Sequence, residues 1–419
     1  MNGSNGRPHG DRFARAALAL LGAVLALPAA ASTLEQAKRI HDRLTGTAPS
    51  ASVLLSMKAD IDNNDAMSAA YVAMRNPAFS NVVLKNWASP WTNRDDNKFA
   101  ALNDYTATVI GLVRDGEDYR RVLYDDIVYV GAPGIVPAAY SNSSNAHYEQ
   151  LEANAVDLSD GNMLKPMQQS AVSGLPHDAT AGIMTTRAAA RAFFIDGTNR
   201  AMFRFTLKNH LCNDMEQVQD TTRPADRIRR DVARSPGGDS RIFMNTCVGC
   251  HSGMDPMAQA FAYYNFHYNG AGSEDAGNIE YTPGVVQPKY HINEGHFPQG
   301  FNTPDDTWDN YWRSGPNTAI FGWGSTPLVS TVAAHDSNGI HGDAGAKTLG
   351  AELANSEAFA MCSVKKVFAV VCLRDPSESD RSATVHGIGG FSQMLADFKS
   401  GNYNLKKTFA QAAVYCSGN

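Results

Sequence analysis

Two cysteines three positions apart with a histidine directly after the second, Asn245-Thr246-Cys247-Val248-Gly249-Cys250-His251, constrain this chain more than any other stretch. At that spacing the two thiols can add to the two vinyl groups of a haem, and the adjoining imidazole then lies under the iron as an axial ligand. Zinc knuckles and redox dithiols also use C-x-x-C. Zinc, however, takes a second pair of ligands at short spacing, and the remaining Cys212, Cys362, Cys372 and Cys416 offer none. A thioredoxin-like dithiol has no use for the adjoining histidine and should open a helix after a buried strand. The motif therefore reads as a site for one covalent haem c, with Cys247 and Cys250 as anchors and His251 as the proximal iron ligand.

Covalent haem attachment is completed outside the cytoplasm, so the reading requires export. Arg7, Arg12 and Arg15 precede an apolar run from Ala16 to Leu27, and Pro28-Ala29-Ala30-Ala31 supplies a small-residue cleavage site before Ser32. This is the pattern of a cleavable signal peptide, residues 1–31, and it predicts a periplasmic or secreted protein. The run is too short to span a bilayer, and no later stretch approaches the roughly 20 apolar residues a transmembrane helix needs. No cysteine follows the cleavage site to carry a lipid. Cleavage removes three arginines and Asp11, which takes the formal net charge from −6 to −8. A chain of this sign has no global attraction for nucleic acid or anionic lipid, and it steers toward a redox partner protein with a basic docking face.

The remaining 388 of 419 residues exceed what one haem requires and predict two or three domains or one divided core. The expected division is an N-terminal helical domain over 32–235, a haem-binding segment with an irregular flap over 236–345, and a C-terminal helical segment over 346–419 packed on the rest. In an oxidising compartment the four cysteines outside the motif predict one or two disulfides, with three pairings open. Cys362 and Cys372 share one predicted helix, where ten residues span about 15 Å, which disfavours a bond between them.

The fold class expected is mainly α, a multi-helix protein with an embedded cytochrome c-like haem segment and a small irregular or hairpin insertion. Ser32-Thr33-Leu34-Glu35 predicts a capped helix through Ala37, Ile40 and Leu44 that stops at Gly46. A second helix covers Ala66 to Met74, and Phe79 to Trp91 buries an aromatic face. Apolar residues recur at helical spacing from Asn103 until a short extended piece, Ile127 to Gly131, and residues 132–145 read as loop. Ala188 to Phe194 predicts one helix, and Thr198 caps another running to Cys212. The segment with Arg227, Arg229, Arg230 and Arg234 reads as a solvated linker helix, with the alternative that some arginines face the haem propionates. Asp255-Pro256 predicts the start of a fresh helix through Met257, Ala260, Phe261 and Tyr264. Residues 278–293 predict a hairpin or flap, Thr303-Pro304-Asp305-Asp306 a short helix bearing Trp308, Tyr311 and Trp312, and 315–345 little regular structure. Helices return at 347–359, 361–373, 377–400 with a break at Gly387-Ile388-Gly389-Gly390, and 405–415, the last pair hinged at Asn402-Tyr403-Asn404.

The ligand opposite His251 separates carrying electrons from doing chemistry. Small electron-transfer cytochromes bring a methionine from some tens of residues downstream, yet none lies between Met257 and Met361. The alternatives are His267, His291 or His296, Met184 from the preceding segment, or an open position. A filled position implies electron transfer. An open one implies a haem-dependent oxidoreductase of peroxidase or oxygenase type, although a di-haem peroxidase would need a second C-x-x-C-H. A third reading is a binding or assembly protein in which haem is only wiring. No catalytic residues beyond these are legible from spacing.

Cys247-Val248-Gly249-Cys250-His251-Ser252-Gly253-Met254-Asp255-Pro256, running into Ala260-Phe261 and Asn265-Phe266, resembles the C-x-x-C-H-x-x-x-D-P element of the planctomycete-type secreted c-type cytochrome proteins. Leu123-Tyr124-Asp125-Asp126 with Tyr129-Val130, and Gly182-Ile183-Met184-Thr185 leading to Leu211-Cys212, are similar to blocks upstream of the haem in that family. So is the closing pattern of Leu353, Ala354, Ser356, Phe359, Cys362, Val364, Val367 and Phe368, then Tyr403, Leu405 and Lys406. Met257 departs from the small residue usual there, and the long outer-surface modules of many members are absent. The resemblance implies haem c, periplasmic redox work and one continuous α-helical architecture, and it assigns no substrate.

Overall fold

The Ser32 hydroxyl accepts the backbone N–H of Glu35, whose carboxylate accepts that of Ser32 in return. This capping box satisfies two of the orphan donors at a helix start, and Gly46 in the left-handed region ends the Thr33–Thr45 helix where expected. A computed structural model describes residues 1, 3, 32–195, 197–268, 276–323, 332–335, 339–342 and 345–418, leaving out side chains in 332–335 and 339–342. The predicted signal peptide lies outside the described residues except at positions 1 and 3.

The protein is mainly α. Helices Thr33–Thr45, Ala51–Asp62 and Ala66–Ala73 pack together, and the last helix, Leu405–Tyr415, lies against the first and third. Both ends of the described chain therefore share one core, whose buried side chains run without a break from Ala37 to Cys416. The Asp104–Asp115 helix passes through its centre with almost every residue buried. Gly111 is required there, because a Cβ would fall 2.1 Å from the Tyr129 ring. The strands are short and antiparallel. Val128–Gly131 pairs with Leu164–Met167, Tyr264–Tyr268 with Gly277–Tyr281, and Thr384–Val385 with Ile388–Gly389, while Gly339–Gly342 lies between Trp308–Asn310 and Val332–His335.

The four cysteines outside the motif form two disulfides, Cys212–Cys362 and Cys372–Cys416. Cys362 and Cys372 do share one helix, Glu357–Cys372, and each is bonded to a different partner. The first bond fixes the stretch ending at Leu211 to this helix, and the second fixes its far end to the terminal helix.

Two local expectations fail where a side chain predicted to cap a helix is used elsewhere. Asp255-Pro256 does not open a helix but lies inside Val248–Ala258. The Asp255 carboxylate is taken by Arg200 and His251, and Pro256 forgoes only the hydrogen bond to the Ser252 carbonyl. Asn199, in the left-handed region, stands at the N-cap of Arg200–Thr206 in place of Thr198, whose hydroxyl instead accepts from Arg229. Asp305 holds the Thr307 N–H and hydroxyl in a turn, so Trp308–Asn310 is a strand and Tyr311–Arg313 a single 3₁₀ turn. The arginine segment is no solvated helix. Arg227 pairs with Asp309 at 2.8 Å, and Arg229 is 2% exposed. The flap is a hairpin set earlier than expected, with Tyr264–Tyr268 paired to Gly277–Tyr281, and of the helix predicted over 377–400 only the part after its predicted break forms, Phe391–Ser400.

Beside the Cys212–Cys362 bond, Lys366 lies 4.2 Å above the Trp91 ring and His210 shares a hydrogen bond with the Tyr105 hydroxyl. Burial pushes the Lys366 ammonium down to about 7 from its ordinary 10.5, and burial followed by the Lys366 charge takes His210 to about 3. From pH 7 to about 10 the unfolded chain holds a lysine proton that the folded chain has released, so this group makes stability rise with pH. Lys366→Met should flatten that rise and stabilise the protein at pH 7, as read from urea unfolding at several pH values. Replacing Cys212 and Cys362 together by serine should cost about 2–5 kcal/mol in the same assay.

Candidate functional site

A π-helical turn, Phe243–Cys247, leads without interruption into the Val248–Ala258 helix. Such turns widen a helix locally and recur at functional sites. Residues three and four apart share a helix face, so Cys247, Cys250 and His251 stand together, all partly open to solvent. Before them on the chain, Ile242 and Met244 are 46% and 59% exposed. Behind them Val248, Gly249, Ser252 and Gly253 are buried.

The back of this helix is fixed by close approaches. Asp220 N–H donates to the Gly249 carbonyl at 2.8 Å, and the Ser252 hydroxyl donates to the Asp220 carbonyl at 3.1 Å. Gly253 packs against Trp312, where an added Cβ would fall 2.1 Å from the indole. Trp312 stacks on Phe321, which stacks on Trp323. At the helix's far end, Asn199 donates to the carbonyls of Phe261 and Tyr264 at 2.8 and 2.9 Å.

His251 Nδ1 lies 3.1 and 3.2 Å from the two Asp255 oxygens, one helical turn on. Asp255 is buried and meets the Arg200 fork twice, Nε to Oδ1 at 2.7 Å and Nη2 to Oδ2 at 2.9 Å. The rest of the same guanidinium holds Asp231, at 2.6 and 3.0 Å. Arg229 comes within 3.6 Å of Asp255 and stacks over the Tyr290 ring at 4.6 Å. Burial opposes a charge on Asp255, yet Arg200, His251 and Arg229 hold its carboxyl well below the usual carboxylate range. Burial alone would lower the Arg200 value, and the two carboxylates outweigh it and raise it. Arg229, with burial and Arg200 against it, is lowered.

These residues fit a covalently held haem. The Nδ1 atom of His251 faces a carboxylate, the partner that commonly orients a metal-ligating imidazole and turns its other nitrogen to the metal. The two motif cysteines are unpaired, while all four others are in disulfides. Those disulfides leave no thiolate to complete a zinc site, and among the described residues no group of three or more His, Cys, Asp or Glu is arranged to hold a metal ion. Burial, with Cys247, Asp214 and Glu216, pushes the Cys250 thiol up against the pull of Arg204, the reverse of what an exchanging dithiol uses.

The proposed sixth ligands are scattered. Met184 is wholly buried, packed by Gly350 near the Leu123 carbonyl. His267 is exposed on the Tyr264–Tyr268 strand, His291 lies 3.7 Å from Glu294, and His296 is exposed. His291 and His296 belong to the loop that ends at Phe297, and Arg234 lies between the Phe297 and Phe243 rings at 4.4 and 4.8 Å. Arg227, Arg229, Arg230 and Arg234 all hold partners inside the protein, the last two through backbone carbonyls. Sequence reasoning missed Arg200 and Asp231 entirely and gave Asp255 the wrong task. The four-residue step from His251 to Asp255 was the available signal.

No protein-family model, curated protein or solved structure matches the chain. The site must therefore be read from its own chemistry.

Gly253→Ala should destabilise the protein by at least about 1–3 kcal/mol, the usual cost of forcing atoms into a packed interior. Gly295→Ala, where an added Cβ has open space, should stay within about 0.5 kcal/mol in the same urea titration.

Proposed function

We propose that this chain is an exported monohaem c-type cytochrome that transfers electrons, with Cys247 and Cys250 as covalent anchors and His251 as the proximal ligand. The observation that carries the reading is the His251 ring, its Nδ1 taken by a buried carboxylate, beside two unpaired thiols on one helix face. When bound, the haem supplies a one-electron iron couple. The protein's part is to hold it still: Asp255 fixes the imidazole, Trp312 and Asp220 fix the helix, and the cysteines set the distance between them. The resemblance of the Cys247–Pro256 element to planctomycete-type secreted cytochromes supports the same assignment.

Export to the periplasm or beyond is proposed from the basic, apolar and small-residue pattern of residues 1–31. Two disulfides accord with an oxidising compartment. No helix among the described residues is long and apolar enough to cross a membrane. The net negative charge favours a redox partner with a basic face.

A second reading, a haem-dependent oxidoreductase with an open distal side, is favoured by the anionic partner of His251. A carboxylate on Nδ1 makes the imidazole a stronger donor to iron, which serves oxidative chemistry as well as low-potential transfer.

Two experiments test these readings. Protein exported by a host competent in cytochrome c maturation should carry haem that survives denaturation, and Cys247→Ala with Cys250→Ala should lose it. Retention in the double variant overturns the assignment. Carbon monoxide added to the reduced protein should bind slowly or not at all if a side chain fills the sixth position. Rapid, complete binding selects the oxidoreductase.

A further inference from the structure

We propose that Asp255, shared between His251 and Arg200, is a positioning residue that sets the electron-donor strength of His251 and so lowers the reduction potential of the site, whatever occupies the sixth position. The inference rests on the haem reading above and concerns how this chain tunes the iron rather than whether it binds it.

The geometry contains the whole device. A hydrogen bond from Nδ1–H to an ionised carboxylate draws the proton toward oxygen and gives the imidazole part of the character of its anion, a better ligand for ferric than for ferrous iron. Asp255 is placed for this by its own helix, at 3.1 and 3.2 Å from Nδ1, and is shut away from water that would weaken the bond. Two guanidiniums face it, Arg200 at 2.7 and 2.9 Å and Arg229 at 3.6 Å, so a cation stays beside the carboxylate even where one of them is replaced.

Arg200 limits the effect. Its fork binds both Asp255 oxygens, at 2.7 and 2.9 Å, and competes with His251 for the same negative charge. Asp231 draws part of the guanidinium away, at 2.6 and 3.0 Å, without a hydrogen bond to the imidazole. The donor strength of His251 is thus set by how one carboxylate is divided between a cation and an imidazole.

The test compares wild type with Asp255→Asn, Arg200→Gln and Asp231→Asn. Each is first checked for covalent haem by its alkaline pyridine spectrum and then titrated spectroelectrochemically. Asp255→Asn should raise the equilibrium constant for reduction at least tenfold, a shift of about 59 mV for a one-electron couple. Arg200→Gln should move it the opposite way, and Arg200→Lys should restore part of the change. Asp231→Asn should move it by less than threefold. A potential unmoved in Asp255→Asn overturns the proposal, and so does an equal shift in Asp231→Asn, because through-space charge would then explain both. If Asp255→Asn does not fold, Arg200→Gln read against Asp231→Asn decides: no shift, a rise, or a drop no larger than the Asp231→Asn shift sinks the idea. Wild-type protein without covalent haem removes the haem assignment and this inference together, whereas haem present with unmoved potentials removes only this inference.

Discussion

The Arg200 guanidinium, held between Asp255 and Asp231, is the interaction on which the arrangement around the motif depends. It joins three parts of the chain: the helix Arg200–Thr206, the irregular segment with Asp231, and the motif helix. Asp255 and Arg229 are buried and Arg200 and Asp231 partly so, and burying such an ion is costly, several kcal/mol for each one taken alone. Close pairing offsets that cost without making the cluster a strong source of stability. Its value lies in register, because neither carboxylate can leave Arg200 without remaining buried beside fewer cations. An imidazole hydrogen-bonded to such a carboxylate inherits the fixed position.

The helical bulk that seemed excessive for one haem acts as a mount for the motif helix. One face of that helix is locked by Gly249 on the Asp220 loop and by Gly253 on Trp312, where the absence of side chains lets backbone and indole meet. The opposite face, with Cys247, Cys250 and His251, is left partly open. Trp312 leads through Phe321 to Trp323, whose indole N–H donates to the Glu352 carbonyl, and so to the helix Gly345–Ala354. The neighbouring Glu357–Cys372 helix carries both disulfides. The motif is in this way braced against the covalently tied part of the core.

Much of the fold was legible because it rests on short-range chemistry. Ser32 with Glu35, Gly46, and the hinge at Asn402 and Tyr403 are local signals, and each marks the boundary it predicts. The failures at helix starts have one physical cause. Asp255, Thr198 and Asp305 are all good cap residues by type, but two of them are claimed by arginines distant in sequence and the third by its own turn. Asp255-Pro256 looked like a helix start because local propensity points that way, and a buried ion pair overrode it. Arg229 looked solvated because arginine usually is, and it lies instead between Asp255 and the Tyr290 ring. The motif residues were visible from spacing alone, but the charge balance beneath them requires Arg200 and Asp231, which only the tertiary fold brings together.

The same balance bears on why no downstream methionine is needed to explain the motif. A methionine opposite the proximal histidine raises a potential, whereas an anionic acceptor on that histidine lowers it. The chain has no methionine from 258 to 360, and an acidic residue lies on the His251 imidazole with Arg200 and the buried Arg229 beside it. Both features point in the same direction. On the haem reading proposed above, a site built this way would hold ferric iron more firmly than the small His/Met carriers do and would call for a correspondingly strong electron donor. On the same reading, the formal net charge of −6 would favour a donor with a basic face.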